Sequence, residues 1–221
     1  MDPVAARRDR RRRRRPSGAG ATSDRPEPRH RSRGVTLEEL LATVVCAAPS
    51  RSYAIIGAVA RNAWAPPRAT TDIDITVAAD ADTLRAISEA LGSVGYREAR
   101  AHRTDPIDSL PDILIFRSAA GRPRQLDVLV AKTPFEHSVL ERAVLIAVGR
   151  VEVPVASPED LVVYKLLADR PRDREDVRAI LRTQERAARP FDWSYVERWA
   201  AFWQIADRLA RLRSDEEHRR G

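Results

Sequence analysis

Two aspartates, Asp72 and Asp74, stand two positions apart inside the apolar run DIDITV, residues 72–77. In a strand, side chains at i and i+2 point to one face, about 6.6 Å apart along the chain. At an effective dielectric near 20, carboxylates at that separation repel by about 2.5 kcal/mol. A cation, a proton or full solvation must offset that repulsion. A third aspartate, Asp127, interrupts another strand-like run, QLDVLV. If the two strands lie side by side, three carboxylates converge at one edge of the sheet. An all-oxygen set of this kind suits Mg²⁺ or Mn²⁺, which keep several waters and bind substrate phosphates beside a few protein carboxylates. Two such ions about 3.5–4 Å apart can clamp the attacking and leaving oxygens of a phosphoryl-type transfer. The plainer reading is three strand-end acids paired with arginines.

The segment before the pair favours the first reading. Gly57 follows Ile55 and Ile56, Ala58 follows the glycine, and 13 residues separate Ala58 from Asp72. A glycine between strand and helix lets N–H groups at the helix start approach an anion closely. The connection PPRATTD adds Arg68, Thr70 and Thr71 just ahead of the carboxylates. Lys165 and Lys132 are the only lysines among 39 basic residues, and Lys165 lies in an apolar helical run. Its ammonium is a compact point charge suited to a phosphate; a snorkelling surface side chain is the plainer alternative. Asp173 and Asp176 carry the spacing of a capping box for the helix after them. Trp193, Trp199 and Trp203 have spacings that suit helix packing better than base stacking, and the four histidines form no ligand pattern.

Recognisable elements must position these residues. Thr36 and Glu39 form a capping box ahead of LLATVVCAA, whose apolar face is expected to bury Cys46. SYAIIG reads as a buried strand, AVARNAWA as a helix stopped by Pro66, and DIDITVAA as a second strand. ADTLRAISEALGSVG is helical; DILIF and RQLDVLVA are a strand pair; FEHSVLERA is a helix; VLIAVGRVEVPVA is a hairpin about Gly149. From Ser157 onward the pattern turns wholly helical: LVVYKLLADR, then REDVRAILRTQ, then one long helix through WSYVERWAAFWQIADRLARL. Strands alternating with helices, then helices alone, predict an α/β core over residues 34–156 and a C-terminal helical subdomain over 157–214, with a short disordered tail from 215.

The net charge of +7 is uneven. Residues 1–33 hold twelve arginines and four acids, which leaves 27 bases against 28 acids in the rest. That leading segment is poor in apolar residues and is expected to be a disordered tail, either a nucleic-acid arm or a solvated extension. No apolar run approaches membrane-spanning length, and a lone cysteine forms no internal disulfide. A cytoplasmic protein fits these features.

The run YAIIGAVARNAWAPPRATTDIDITV resembles the signature of the nucleotidyltransferase superfamily related to DNA polymerase beta: an apolar residue, Gly, then Gly or Ser, a spacer, and D-x-D or D-x-E. It is especially similar to the AbiEii-type nucleotidyltransferases of bacterial toxin–antitoxin and phage-defence systems. VPVASPEDLVVYKLLADRPRDREDV resembles their second conserved region, so the similarity spans roughly residues 36–185. The resemblance implies an α/β (α+β) fold of nucleotidyltransferase type, a mixed β-sheet flanked by helices with a C-terminal helical subdomain. It implies Mg²⁺-dependent (or Mn²⁺-dependent) transfer of a nucleotide from an NTP to an acceptor hydroxyl, with release of pyrophosphate. Asp72, Asp74 and Asp127 are then the expected metal ligands, and Asp127 also the acceptor of the nucleophile's proton. Gly57, Ala58 and Lys165 are expected to hold the triphosphate, with Arg68 and Thr71 as further contacts. Asp173 is expected at the rim, orienting Lys165 or Arg172. The acceptors implied are RNA, tRNA ends in particular, a protein, or a small molecule such as an aminoglycoside, and an antitoxin is the implied partner. One departure stands out: Ala58 occupies a position where the superfamily carries Gly or Ser, keeping the N–H but losing a hydroxyl. A fold-mate that binds nucleotide or RNA without transfer is the competing expectation, and Ala58 is its basis.

Overall fold

The computed structural model describes residues 34–49, 51–104 and 111–220, the last five as backbone alone. The arginine-rich tail expected over residues 1–33 lies outside the described residues. Capping boxes open the first helix and the first helix of the C-terminal half. Thr36 and Glu39 open α1 (Leu37–Ala47), and Ser157 and Asp160 open α5 (Pro158–Ala168) with Pro158 at the first helical position. Between them run β1 (Tyr53–Ile56), α2 (Gly57–Trp64), β2 (Asp72–Val77), α3 (Ala81–Ser93), β3 (Arg97–His102), β4 (Asp112–Arg117) and β5 (Gln125–Val130). There follow α4 (Pro134–Arg142) and the hairpin of β6 (Val144–Val148) with β7 (Val151–Val155); after α5 come α6 (Pro171–Arg186), α7 (Trp193–Phe202) and α8 (Ala206–Arg220).

Among the described residues the strands form one mixed sheet in the order β3-β4-β5-β2-β1-β7-β6. β2 pairs in parallel with β5, and β1 in parallel with β7, while the other neighbours are antiparallel. This is the α/β core that the residue pattern predicts, with the mixed sheet flanked by helices that the resemblance implies. On β2 the period-two alternation splits the strand cleanly. Ile73, Ile75 and Val77 are fully buried, and Asp72, Asp74 and Thr76 occupy the other face.

One strand is added and four local expectations give way, each for a physical reason. REARAH has no apolar alternation, yet β3 forms by pairing with β4, its residues all exposed at the sheet edge and its register shifted between Glu98 and Arg100. The single long C-terminal helix is two. Gln204 adopts φ +56, and the Ile205 N–H bonds back to the Ala200 carbonyl at 2.8 Å. That is a Schellman-type stop made without glycine, closed by burial of Ile205. The second of the two, α8, continues to Arg220 where a tail from 215 was expected. Cys46 is exposed rather than core, because α1 buries Leu40, Leu41 and Val44 on a face that Cys46 does not share. Finally, α6 begins at Pro171 rather than after Asp173. That earlier start turns Asp173 and Asp176 inward, so they do not form a box with each other.

Candidate active site

The turn from β1 into α2 sets the first part of the site. Gly57 holds φ +65 there, and a Cβ built on it would lie 2.0 Å from Asp74 Oδ2. Glycine is thus required twice, for the backbone conformation and for the space that Asp74 fills. Ile56, the N-cap of α2, supplies no capping side chain, so the first N–H groups of the helix are free of that partner. Gly57 and Ala58 line a cleft of about 490 Å³ over this helix start.

Strand pairing brings the acids together. Asp74 and Asp127 are direct partners in the parallel β2–β5 ladder, and Asp72 lies opposite Gln125. All three carboxylates line the cleft. Burial raises the proton affinity of Asp74, and the charges of Asp127 and Asp72 raise it further, so its pKa climbs to about 6 against the opposing pull of Lys165 and Arg170. Burial also raises Asp127, with Asp72 adding to the shift and a hydrogen bond from Gln125 working against it. Among the described residues no hydrogen-bond donor or ion-pair partner reaches the Asp74 side chain. Asp127 Oδ1 accepts from Gln125 Nε2 at 2.9 Å, and Gln125 Oε1 accepts from Arg117 Nε at 3.0 Å. This Arg117–Gln125–Asp127 relay was not anticipated, although Gln125 sits at i−2 from Asp127 and therefore on its face.

The opposite wall is cationic. Lys165 is 7% exposed, with Nζ 2.7 Å from Asp173 Oδ1 and 2.9 Å from Asp176 Oδ2. Asp173 also takes Arg170 Nε at 2.6 Å. Asp176 receives a two-pronged bond from Arg68, at 3.0 and 2.9 Å, and stands 3.1 Å from Arg61 Nε. Burial pushes the Asp176 carboxyl up, but the hydrogen bonds from Arg68 and Lys165 outweigh it and hold the group down at about 2. Asp173 follows the same pattern, with Arg170 and Lys165 outweighing its burial. Asp176 is thus the hub of the wall, a role its helix-start position in the sequence hides. Arg170 and Arg172 also face the cleft, and Arg172 is exposed there.

Of the residues singled out from sequence, Gly57, Ala58, Arg68, Asp72, Asp74, Asp127, Lys165 and Asp173 line one cleft. Thr71 does not. It borders a separate cavity beside Ile73 and Arg124, whereas Thr70 lines that cavity and the cleft both. Arg68 faces the cleft with its guanidinium bound to Asp176. The tryptophans pack: Trp199 and Trp203 stand edge-on to Phe135 at 5.2 and 6.4 Å, and Trp193 lies 4.7 Å from Phe191. Among the described residues no three acidic, histidine or cysteine side chains close around a single point in this arrangement. The donors present are nonetheless the hard oxygens that a divalent cation takes. Burial and the neighbouring charges of Asp127 and Asp72, which raise the proton affinity of Asp74, favour positive charge at that carboxylate.

The sequence profile of the nucleotidyl transferase AbiEii toxin family, of type IV toxin–antitoxin systems, matches residues 39–218. The chain belongs to the AbiEii nucleotidyltransferase family. Its cleft therefore belongs to a nucleotidyltransferase, and both walls lie within the matched span. No curated protein matches the chain. Solved structures similar to this AbiEii chain include antibiotic-resistance factor ANT(2'')-Ia in solution, at 15% identity and TM-score 0.48, covering 81% of this chain and 96% of that one. ANT(2'')-Ia in complex with adenylyl-2''-tobramycin is also similar, at 16% identity and TM-score 0.41, covering 82% and 97%. So is an antigenic nucleotidyltransferase-like protein from Paracoccidioides brasiliensis, at 18% identity and TM-score 0.40, covering 67% and 77%. Among the described residues no helix is long and apolar enough to cross a membrane.

Proposed function

We propose that this AbiEii nucleotidyltransferase uses Mg²⁺ or Mn²⁺ to transfer a nucleotide from an NTP to an acceptor hydroxyl, and that the acceptor is RNA. The observation carrying this reading is the pairing of Asp74 with Asp127 opposite the Lys165–Arg170–Arg172 wall across one cleft. Asp72, Asp74 and Asp127 would hold the cation, which when bound supplies charge stabilisation to the triphosphate oxygens.

The protein's own groups divide the rest of the work. The N–H groups of Gly57 and Ala58 at the start of α2 receive phosphate oxygens, with the helix dipole adding to the attraction. Lys165, fixed by Asp173 and Asp176, presents its charge from a position that needs no reorganisation on binding. Arg172 and Arg170 meet the outer phosphates from the rim. The acceptor oxygen attacks the α-phosphorus, and the bond from that phosphorus to the bridging oxygen breaks. Pyrophosphate departs with the bonding pair, and the hydroxyl proton passes to Asp127, whose raised proton affinity suits that step. No covalent enzyme intermediate is needed. A cytoplasmic setting and a cognate antitoxin complete the proposal.

The test incubates the full chain with each labelled NTP, Mg²⁺ and total RNA. Label appearing in RNA, dependent on Mg²⁺ and absent with Asp74→Asn, is the expected result. Mg²⁺-dependent NTP binding without transfer to RNA or protein would instead favour a nucleotide-binding fold-mate. Neither binding nor transfer would overturn the reading altogether.

A further inference from the structure

A second cavity, of about 200 Å³, opens behind Lys165 between the C-terminal end of α5, the start of α6, and α8. Four guanidinium groups line it, those of Arg174, Arg178, Arg208 and Arg211, against two carboxylates, Asp169 and Asp215. Asp169 caps α5 in the left-handed region at φ +46, which projects it among the arginines. Arg174 Nε reaches it at 2.9 Å, but Arg208 and Arg211 stop at 3.7 and 3.8 Å, outside hydrogen-bond distance. One carboxylate is thus shared by three cations and satisfies one of them.

The arginines are also held in place. Arg208 Nη1 donates to the Leu166 and Leu167 carbonyls at 2.9 and 2.8 Å, so its position is set by the end of α5. Arg178 Nη2 meets Asp215 Oδ2 at 2.9 Å. Arg211 turns one nitrogen outward to the exposed Asp207 at 2.8 Å and the other toward Asp169. Among the described residues, held and converging guanidinium groups outnumber the carboxylates lining this pocket, the geometry that receives a tetrahedral oxyanion.

We propose that this pocket binds a small oxyanion of the phosphate class, separately from the nucleotide cleft. Its volume admits inorganic phosphate or pyrophosphate. The anion meets Arg174, Arg208 and Arg211 together, supplying the bonds that Asp169 alone leaves unmade. The pocket shares only Lys165 with the cleft, and the ammonium there is already held by Asp173 and Asp176.

Calorimetric titration of the full chain, free of divalent cations and at constant ionic strength, tests the assignment. Inorganic phosphate and pyrophosphate are titrated separately, which identifies the preferred anion. The wild type is expected to bind one of them saturably. The double variant Arg174→Ser/Arg211→Ser is expected to weaken binding at least about tenfold, through loss of two charge-assisted hydrogen bonds. Asp169→Asn is expected to tighten it severalfold, because the competing carboxylate charge is gone. A merely structural fan of ion pairs would not produce that gain. Arg172→Ala, in the nucleotide cleft, is expected to leave the affinity unchanged. Absence of saturable binding by the wild type, an unaltered Kd in the double variant, or loss of binding with Arg172→Ala overturns the proposal. If circular dichroism shows the double variant unfolded, the opposed effects of Arg211→Ser and Asp169→Asn alone decide the matter.

Discussion

Asp74 Oδ2 occupies the space that a side chain on Gly57 would fill, 2.0 Å from where its Cβ would stand. The turn from β1 into α2 and the acidic strand are therefore one fitted unit. Gly57→Ala is expected to force the carboxylate aside and to strain the backbone at φ +65. Strain of this kind costs about 1–3 kcal/mol. Chemical denaturation and transfer assays are expected to report that loss together with near-complete loss of activity. Ala58→Ser adds only a hydroxyl one residue later and is expected to leave stability within about 0.5 kcal/mol of wild type.

Asp74 is expected to make the metal-free protein less stable as pH rises. Its folded pKa of about 6 exceeds the unfolded value of 3.8, so the folded state binds the proton more tightly. The proton-linked stabilisation is full below pH 3.8 and is lost as pH rises through about 6. A shift of this size corresponds to about 3 kcal/mol. Asp74→Asn, with no charge to bury, is expected to flatten this part of the profile while abolishing transfer. Urea denaturation in chelator between pH 4 and 7 measures both curves.

Asp176 acts with the opposite sign and in a lower window. Its folded pKa of about 2 lies below 3.8, so its contribution is present above pH 3.8 and disappears as pH falls toward 2. Lys165→Ala leaves Asp173 and Asp176 buried without their shared ammonium. Removing one partner from a buried ion cluster costs about 3–5 kcal/mol. Thermal unfolding at pH 7 is expected to show a large drop in Tm, with NTP affinity lost as well.

If Asp74 holds the proposed cation, divalent cation and proton are expected to compete for it. Mg²⁺ is expected to raise Tm more at pH 7.5 than at pH 5, and the difference is expected to vanish in Asp74→Asn. Equal stabilisation at both pH values would remove the carboxylates from the ion's site.

Gln125→Ala frees Asp127 from its hydrogen bond without touching any charge. Transfer is expected to fall roughly tenfold in kcat with KM for NTP nearly unchanged, the mark of a positioning residue. Gln125→Glu is expected to be worse, because it adds a fourth carboxylate to the cluster.

Residues that break a local pattern were legible in the sequence. Asp72, Asp74 and Asp127 put charge into apolar strands, and Gly57 interrupts the passage from strand to helix. The choice of Thr71 over Thr70 shows how fine the reading must be. Both threonines precede β2 and border the cavity beside Ile73, but Thr70 reaches the cleft as well and Thr71 does not, a difference that no strand period fixes in the loop ahead of Asp72. Asp176 was hidden because an acid near a helix start has an ordinary local explanation. Its partner Arg68 is 108 residues away and becomes visible only when α6 packs in place. β3 escaped notice because edge pairing, rather than any apolar period, makes it a strand.

The cations of the cleft wall are almost all arginine, in a chain with two lysines among 39 basic residues. Guanidinium groups do not give up their protons at any pH a protein experiences. The wall also offers a single amine to acetylating or other acylating chemistry, that of Lys165, and its 7% exposure under two carboxylates shields it. The cationic side is thus a constant field that neither acidity nor lysine modification adjusts. Whatever tuning the site undergoes with pH is left to its carboxylates.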